Sequence, residues 1–547
     1  MPPCDNAAVD FVKLQNLQPG GPRTGRAWRR AALVLAVLVP ALLVRVYCLA
    51  HTENISRDGT LYLHMARMFH TQGARAVAQS FDYHPGYSVV AAAWAGAAGA
   101  DWPDDWVPCA QYVSTAMSLI ALACLYFVAR AAFDRRVALL TVLLMGVSHW
   151  FILTGCDVRS EAQTAAMVML SVALGLASAG ALRRGSAWSV ALAAGAGLAA
   201  AAGYLARPEG IVAAGVAAAL LLRQRISGRR ARVIQLAALA ALVAAALACA
   251  FPYAAAIGGF TRKKALSDLV VAGGDWRLLA VVGAGDVIGA VRRLLDRSRQ
   301  AVGAAPAVLA VVCWCAWSAK AAFRRRLASL EVVRPTSDGV VAMFLAAAVM
   351  APLLVGMQLR LGPAYISSRH AMLPALLVAP CAGAGLATLI RWTLALARRL
   401  GIKPRPAIAT AGWLCAILAV MAIHAFPTLH EGKAIYRRAG LEIRSRLGPG
   451  KLVRTDDSRV AFFAAAPTRQ FVNESPCWYN LLPKYAGNLD EFVRASLPYD
   501  AIAISNRLLE KVRDPDLIDK LPPERFELMR VWEGPRGKDR LWVFRRR

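Results

Sequence analysis

Long apolar runs recur through the first four-fifths of this 547-residue chain, and they constrain its fold more than any other feature. The first run, residues 31–50, has about the ~20 residues that a helix needs to cross a bilayer once. Hydrophobic residues make up 57% of the chain and the mean hydropathy is +0.44, whereas soluble domains are roughly 45–50% apolar. The pattern therefore predicts a polytopic α-helical membrane protein with about eleven transmembrane helices.

Basic residues cluster between the runs and predict the topology. The net charge is +30, but Lys and Arg fall mostly on one side of the predicted membrane, which is the positive-inside pattern. The predicted spans are residues 31–50, 109–129, 137–154, 162–182, 187–205, 210–222, 233–257, 302–319, 339–357, 371–390 and 407–426. Residues 88–100 are predicted to form a short interfacial helix, because a full span there would invert this orientation and put the basic loops outside.

The same charge pattern predicts location and partners. The chain has no motif that binds RNA or DNA, so its basic charge indicates contact with membrane lipid rather than with nucleic acid. Its high Ala and Arg content is typical of a multi-pass protein of a bacterial cytoplasmic (inner) membrane. The eleven cysteines are scattered and include no CxxC pair, which argues against a disulfide framework or a structural zinc site.

Three regions follow from this topology. Residues 1–30 form a basic cytoplasmic N-terminus. Residues 31–429 form the transmembrane domain, with a first outer loop at 51–108 and a further outer loop at 258–301. Residues 430–547 are predicted to form an extracytoplasmic α/β domain, with a hairpin turn at 533–537. Its predicted strands are residues 451–455, 469–472, 501–505, 525–532 and 540–545.

Charged residues near membrane depth are costly and usually functional, and here they gather on the predicted outer face. Asp58, an acidic residue in the first outer loop, is the candidate catalytic residue, because its carboxylate can act as a base and take a proton from an attacking hydroxyl. Arginines hold phosphate oxygens through a planar fork. The candidate substrate-binding residues are Tyr62, His84, Asp157, Arg159, Glu161, Arg207, Glu209, Arg369 and His370. Together they suit transfer of a group from a membrane-anchored phosphate to an alcohol.

Each of these loops also has a purely structural interpretation. Residues 157–161 can be an ordinary polar loop, and Arg207-Pro208-Glu209 can be a helix start. In the loop at 258–301, Lys263 and Lys264 can bind a lipid phosphate, but a helix lying on anionic headgroups is equally compatible. The grouping of all the loops on one face favours the functional interpretation.

These features resemble the GT-C glycosyltransferases, and among them the dolichyl-phosphate-mannose–protein mannosyltransferase (family 39) and aminoarabinose-transferase-like group. The resemblance covers about residues 30–430. It rests on an acid in the first outer loop with Tyr62 four residues on, the closing His84-Pro85, the Arg/acid loops and the late Arg369-His370. The chain departs from the family pattern at Gly59, where a second acid is common, at Gly86, and at Gln111, where Arg is common.

The resemblance implies a polyprenyl-phosphate-linked sugar as donor and an extracytoplasmic protein, lipid or glycan as acceptor. Asp58 would be the base of a single, inverting displacement, and Arg207 and Arg369 would hold the departing lipid phosphate. His84 and Glu161 would shape the sugar site. A divalent cation between Asp58 and Glu161 stays open, because no ligand spacing requires one.

Two other classes of function remain in view. A secondary transporter of a polar or anionic solute would place its polar residues near mid-membrane, where this chain has mostly Ala, Leu and Val. A non-catalytic assembly or sensor protein would act through its outer domain, whereas most acids and arginines of interest here lie outside the tail.

Overall fold

The computed structural model describes residues 23–262, 284–322, 333, 335–361, 367–403, 405–425, 430–467, 493–494, 496–512, 514–537 and 539–547. Lys263, Lys264, most of the N-terminal region 1–30 and the predicted strand at 469–472 lie outside these residues. The transmembrane part contains α1 (Arg23–Ala50), α2 (Arg57–Gln72), α3 (Ala74–Ser80), α4 (Gly86–Ala97), α5 (Trp106–Ala132), α6 (Arg135–Gly146), α7 (His149–Cys156), α8 (Ser160–Arg183), α9 (Trp188–Ala206), α10 (Val212–Leu222), α11 (Arg229–Ile257), α12 (Ala284–Val302), α13 (Ala304–Ala322), α14 (Ser337–Leu361), α15 (Ser368–Val378), α16 (Pro380–Arg399) and α17 (Pro406–Ala425).

The apolar helices coincide with the predicted spans. In the described part of the chain, five helices are long and apolar enough to cross a membrane, namely α5, α8, α9, α11 and α16. Two bent pairs, α6–α7 and α12–α13, each meet the same criterion together, which raises the number to seven. Shorter apolar stretches in α1, at 208–222, in α14 and in α17 fall on the remaining predicted spans. The prediction of a polytopic α-helical membrane fold is confirmed.

Three predicted segments are corrected by the structure. The predicted span at 371–390 is wrong in its bounds, because it covers parts of two helices, α15 and α16. The first ends at Val378 and the second begins at Pro380, which lacks the N–H that a continuous helix needs. The span at 137–154 is broken by 64° between α6 and α7. The outer loop at 258–301 is not only a loop, since it contains α12, which meets α13 at 117°.

Arg45 stabilises the break between α6 and α7 from the first apolar run. Its side chain is fully buried and donates to the Ser118 hydroxyl at 2.8 Å, to the Gly146 carbonyl at 3.0 Å and to the Phe151 carbonyl at 3.4 Å. Carbonyls freed at a helix break inside a membrane need such partners. A cation in an apolar run is the sequence signal for such a role.

The C-terminal region forms a four-stranded sheet in the order β1-β2-β4-β3. β1 (Val453–Thr455) pairs parallel to β2 (Ala501–Ser505), and β4 (Arg540–Arg546) pairs antiparallel to both β2 and β3 (Phe526–Glu533). The predicted strands at 451–455, 501–505, 525–532 and 540–545 are therefore confirmed to within two residues. The hairpin turn is closed by the Gly534 N–H, which donates to the Asp539 carbonyl at 2.7 Å. The helices of this region are α18 (Ala434–Leu447), α19 (Ser458–Phe463) and α20 (Asn506–Val512).

The C-terminal sheet and the first loop share one hydrophobic core. A single cluster of buried residues joins α2 and α4 to α18, α19 and the strands β1, β2 and β4. Within it, the ring of Phe462 meets the rings of His64 and Trp102 edge to face. The C-terminal region therefore lies against α2, the helix that carries Asp58.

Candidate active site

Arg369 joins two carboxylates that lie far apart in the sequence. α15 begins with a capping box, in which His370 Nδ1 accepts from the Ser367 N–H at 3.4 Å and also lies 3.1 Å from the Ser367 hydroxyl, and this places Arg369 in the first turn. Its guanidinium forms an ion pair with Asp58 and lies 3.9 Å from Glu161 Oε1. The Arg369 side chain is 35% exposed, against 16% for Asp58 and 3% for Glu161. The most accessible charge of the group is therefore a cation.

Arg207 completes the network from the other side of Glu161. It lies between α9 and a short 3-10 helix, Pro208–Ile211, and donates to Glu161 Oε1 at 2.9 Å and to Glu209 Oε1 at 3.2 Å. Burial by itself lowers the pKa of Arg207, but Glu209 and Glu161 outweigh it and hold that pKa above its usual value. The Arg207 guanidinium is therefore permanently positively charged. We call Asp58, Glu161, Arg207, Glu209 and Arg369 the polar cluster.

The first turn of α2 sets the position of Asp58. Ser56 caps the helix, because its hydroxyl accepts from the Gly59 N–H at 3.1 Å. A Cβ atom on Gly59 would lie 3.0 Å from both Cβ and the carbonyl oxygen of Val158. The departure from the family pattern at Gly59 thus has a local cause, since a side chain there would push α2 away from residues 157–159.

Tyr62 lies one turn further along α2 and faces the same way as Asp58. Its hydroxyl is 2.7 Å from the Ser160 hydroxyl, beside Glu161. Burial raises the pKa of Tyr62, and the negative charge of Glu161 raises it further. Tyr62 is therefore a neutral hydrogen-bonding group that borders the polar cluster.

Asp157 and Arg159 form a separate, enclosed group. Asp157 accepts from Arg159 Nε at 2.6 Å and from the Ser56 N–H at 3.0 Å, and His430 Nε2 lies 3.0 Å from Asp157 Oδ2. Burial alone would raise the pKa of Asp157, but Arg159 and His430 hold it well below its usual range. With 1% of Asp157 exposed, this group locks the loop at 157–159 to the helix cap at Ser56.

His84 contacts the end of α9 and Thr261. Its ring nitrogens lie 2.8 Å from the Tyr204 carbonyl and 3.0 Å from the Thr261 hydroxyl. Close by, a Cβ atom on Gly86 would lie 2.6 Å from the backbone of Leu205. Gly86 therefore lets α4 meet the end of α9 next to Arg207, a contact that a larger residue would prevent.

The comparisons with known proteins agree with this architecture. The dolichyl-phosphate-mannose-protein mannosyltransferase family profile matches residues 108–253. No curated protein matches the sequence. ArnT from Cupriavidus metallidurans, solved in the apo state, is similar with 13% identity and a TM-score of 0.53, over 95% of this chain and 98% of that one. The Archaeoglobus fulgidus oligosaccharyltransferase tethered to an acceptor peptide is similar with 13% identity and a TM-score of 0.54, over 94% of this chain and 74% of that one.

This chain has the GT-C glycosyltransferase fold. A further structure of the Archaeoglobus fulgidus enzyme, in complex with an inhibitory peptide and a dolichol-phosphate, is similar with 13% identity and a TM-score of 0.54, over 94% of this chain and 74% of that one. The family match and the shared fold together support glycosyl transfer as the general activity.

Two adjoining cavities of this GT-C fold differ in chemistry. A narrow cleft is lined by Glu161, Arg207, Glu209, Arg369 and His370 of the predicted site, and also by Met350, Met372 and Leu373. A groove of about 780 Å³ runs between α12, α13, α14, α15 and α16, and its lining is almost entirely apolar. Met350 and Leu373 of the cleft are the chain neighbours of Ala351 and Pro374 of the groove, so the two cavities share α14 and α15.

The donor set of the polar cluster does not fit a divalent cation. Asp58 is paired with Arg369, and Glu161 and Glu209 are both paired with Arg207. In the described part of the chain, no three His, Cys, Asp or Glu side chains come together as metal ligands. A cation between Asp58 and Glu161 would have to displace the Arg369 guanidinium.

Sequence reasoning brought together Asp58, Glu161, Arg207, Glu209 and Arg369, with Tyr62 and His370 at the border. It missed His430, which contacts Asp157, and the turn at 456–458, which contacts the first turn of α2, both from the C-terminal region. The sequence signal for this turn is Asp456-Asp457-Ser458, because Asp and Ser at the end of a predicted strand indicate the N-cap of a following helix.

Proposed function

We propose that this chain is an integral-membrane glycosyltransferase that moves a sugar from a polyprenyl-phosphate donor to an extracytoplasmic hydroxyl. The observation that carries the proposal is the bridge that Arg369 makes between Asp58 and Glu161 at the wall of a cleft. The proposed base, Asp58, and a cation able to bind phosphate, Arg369, are therefore in direct contact.

The bridge supports a defined reaction. Phosphate oxygens compete with a carboxylate for a guanidinium, so a lipid phosphate at Arg369 would release Asp58 from its ion pair. Asp58 would then take the proton of the acceptor hydroxyl as its oxygen bonds to the anomeric carbon. The bond from that carbon to the phosphate oxygen breaks, and Arg369 and Arg207 stabilise the departing polyprenyl phosphate. A single displacement of this kind inverts the anomeric configuration.

The remaining site residues have supporting roles in this proposal. Glu161 and Glu209 orient Arg207, and Tyr62 and His370 border the sugar. His84 shapes the end of α9 beside Arg207. Asp157 and Arg159 act through the Ser56 cap on α2. Lys263 and Lys264 would meet the lipid phosphate from the loop at 258–301.

The apolar groove supports a polyprenyl donor over a soluble nucleotide sugar. Isoprenoid chains bind by burying apolar surface, and a groove beside the polar cleft lets one molecule place its chain and its phosphate at once. We place the site on the extracytoplasmic side of the inner membrane, because the basic clusters lie at the other ends of the spans. A secondary transporter gains no support, since the polar cluster lies at helix ends rather than at broken mid-span segments.

The test is a transfer assay on the purified full chain in detergent. Undecaprenyl-phosphate hexoses and pentoses, radiolabelled in the sugar, would be supplied with a bacterial envelope fraction as acceptor, and short-chain analogues would be compared with long ones. Asp58→Asn is expected to lower turnover by about 10²–10⁴-fold, the usual contribution of a general base, with expression unchanged. Asp101→Asn, an exposed acid of the same loop, is the matched control. Full turnover in Asp58→Asn would remove the proposed base.

A further inference from the structure

The helix that carries Asp58 is held between two surfaces. Asp58 and Tyr62 point toward the polar cluster, whereas Arg57 and Thr60 point toward the C-terminal region. Arg57 Nε is 3.2 Å from Asp457 Oδ2, and the Thr60 hydroxyl donates to the Ser458 hydroxyl at 2.9 Å. Residues at these spacings lie on different faces of a helix. The two contacts therefore flank Asp58 in sequence without occupying its face.

The turn at residues 456–458, which contacts α2, is itself hydrogen-bonded to the C-terminal sheet. Asp457 caps α19 and accepts from Arg459 Nε at 2.7 Å and Nη2 at 2.6 Å, a two-point contact that fixes the carboxylate plane. Asp456 accepts from the Ser505 N–H at the end of β2, at 3.0 Å. Asp457, Ser458 and Arg459 are all at most 5% exposed. The sheet, the turn and the first turn of α2 thus form one continuous hydrogen-bonded unit.

From this geometry we infer that the 456–458 turn of the C-terminal domain positions the Asp58 carboxylate for proton transfer, with Ser458 and Asp457 as positioning residues. The inference rests on the proposed role of Asp58. The reacting groups must approach to about 3–3.5 Å, and a shift of about 1 Å can cost 10²-fold in rate. Loss of the Thr60–Ser458 contact would free the first turn of α2 on the side that faces the C-terminal region, so that the Asp58 carboxylate could shift relative to the acceptor hydroxyl while Arg207 and Arg369 stay in place.

The experiment measures kcat and donor KM for Ser458→Ala, Thr60→Val and Thr60→Ser in the full chain. Ser458→Ala and Thr60→Val are expected to lower kcat by about 10- to 100-fold, while donor KM stays within about twofold because Arg207 and Arg369 are untouched. Thr60→Ser keeps the hydroxyl and is expected to restore kcat. A purely structural role would instead lower the amount of folded protein and leave kcat per folded molecule unchanged.

The matched control is a second contact between the same two regions. Arg444 Nη2 is 2.8 Å from Asp104 Oδ2, away from α2. Asp104→Asn is expected to leave kcat at the wild-type value. If Ser458→Ala and Thr60→Val keep wild-type kcat, or if Asp104→Asn lowers kcat equally, the inference is overturned. Retained transfer in Asp58→Asn would instead overturn the proposed base, so the two failures are distinguishable.

Discussion

Two Asp–Arg pairs lie at the same end of this helical bundle and do different work. Asp58 and Arg369 come from segments 311 residues apart, and the arginine lines a cleft with 35% of its side chain exposed. Asp157 and Arg159 are two residues apart, and their carboxylate is 1% exposed with partners on every side. Identical residue types thus form a partly exposed ion pair in one place and an enclosed ion pair in the other. What separates them is the exposure of the arginine and the number of hydrogen-bond partners that the carboxylate already has.

The sharpest test of this contrast is Asp157→Asn. We expect a loss of about 3–5 kcal/mol in the free energy of unfolding, because removing one partner leaves Arg159 buried without its counter-charge. Thermal unfolding of the purified protein in detergent would measure it. Asp58→Asn, by comparison, should unfold close to the wild-type temperature. Should Asp157→Asn keep its stability and lose only activity, Asp157 would join the substrate-binding residues, as the sequence by itself predicts.

A smaller effect is expected when Arg369 keeps its charge and loses its planar fork. Arg369→Lys should raise donor KM about tenfold, which corresponds to one charge-assisted hydrogen bond of roughly 1.5 kcal/mol. Competition by undecaprenyl phosphate in the transfer assay would report the same change. Arg75→Lys, on an exposed position of the first loop, is the control. An unchanged KM would mean that Arg369 serves only to neutralise Asp58.

The smallest effect is the pH dependence of the Asp157 lock. Because the pKa of Asp157 is lowered in the folded state, its stabilisation is complete above the unfolded value of about 3.9 and is lost as pH falls below it. The difference in unfolding temperature between the wild type and Asp157→Asn should therefore be full at neutral pH and shrink below about pH 4. A difference that persists undiminished at pH 3 would contradict this account. Asp104→Asn should show no such trend.

Sequence reasoning succeeded where local pattern decides structure. Apolar run length predicts the spans, and alternating β-branched residues such as Ile502 and Ile504 predict β2 almost to the residue. The same reasoning gathered Asp58, Glu161, Arg207 and Arg369 because all four follow or precede a span on one side. Parity of topology was enough to place them at one end of the bundle.

Sequence reasoning failed where tertiary contacts decide structure. The break between α6 and α7 depends on Arg45, from a helix about a hundred residues earlier. The partition of the charges into an open pair and a closed lock depends on His430, which no local pattern connects to Asp157. The contacts between the 456–458 turn and α2 join residues about four hundred positions apart in the sequence. Such long-range pairings leave no periodic signal in a single sequence.

The apolar groove along α12 and α13, which meet at 117°, has a kinetic consequence for the proposed donor. A groove with this lining is filled more favourably by lipid than by water. A lipid-linked substrate would then arrive by diffusion within one leaflet, and encounter would be a two-dimensional process. Its saturation would follow the mole fraction of donor in the bilayer, and adding inert lipid at constant bulk concentration would slow the enzyme as effectively as removing substrate.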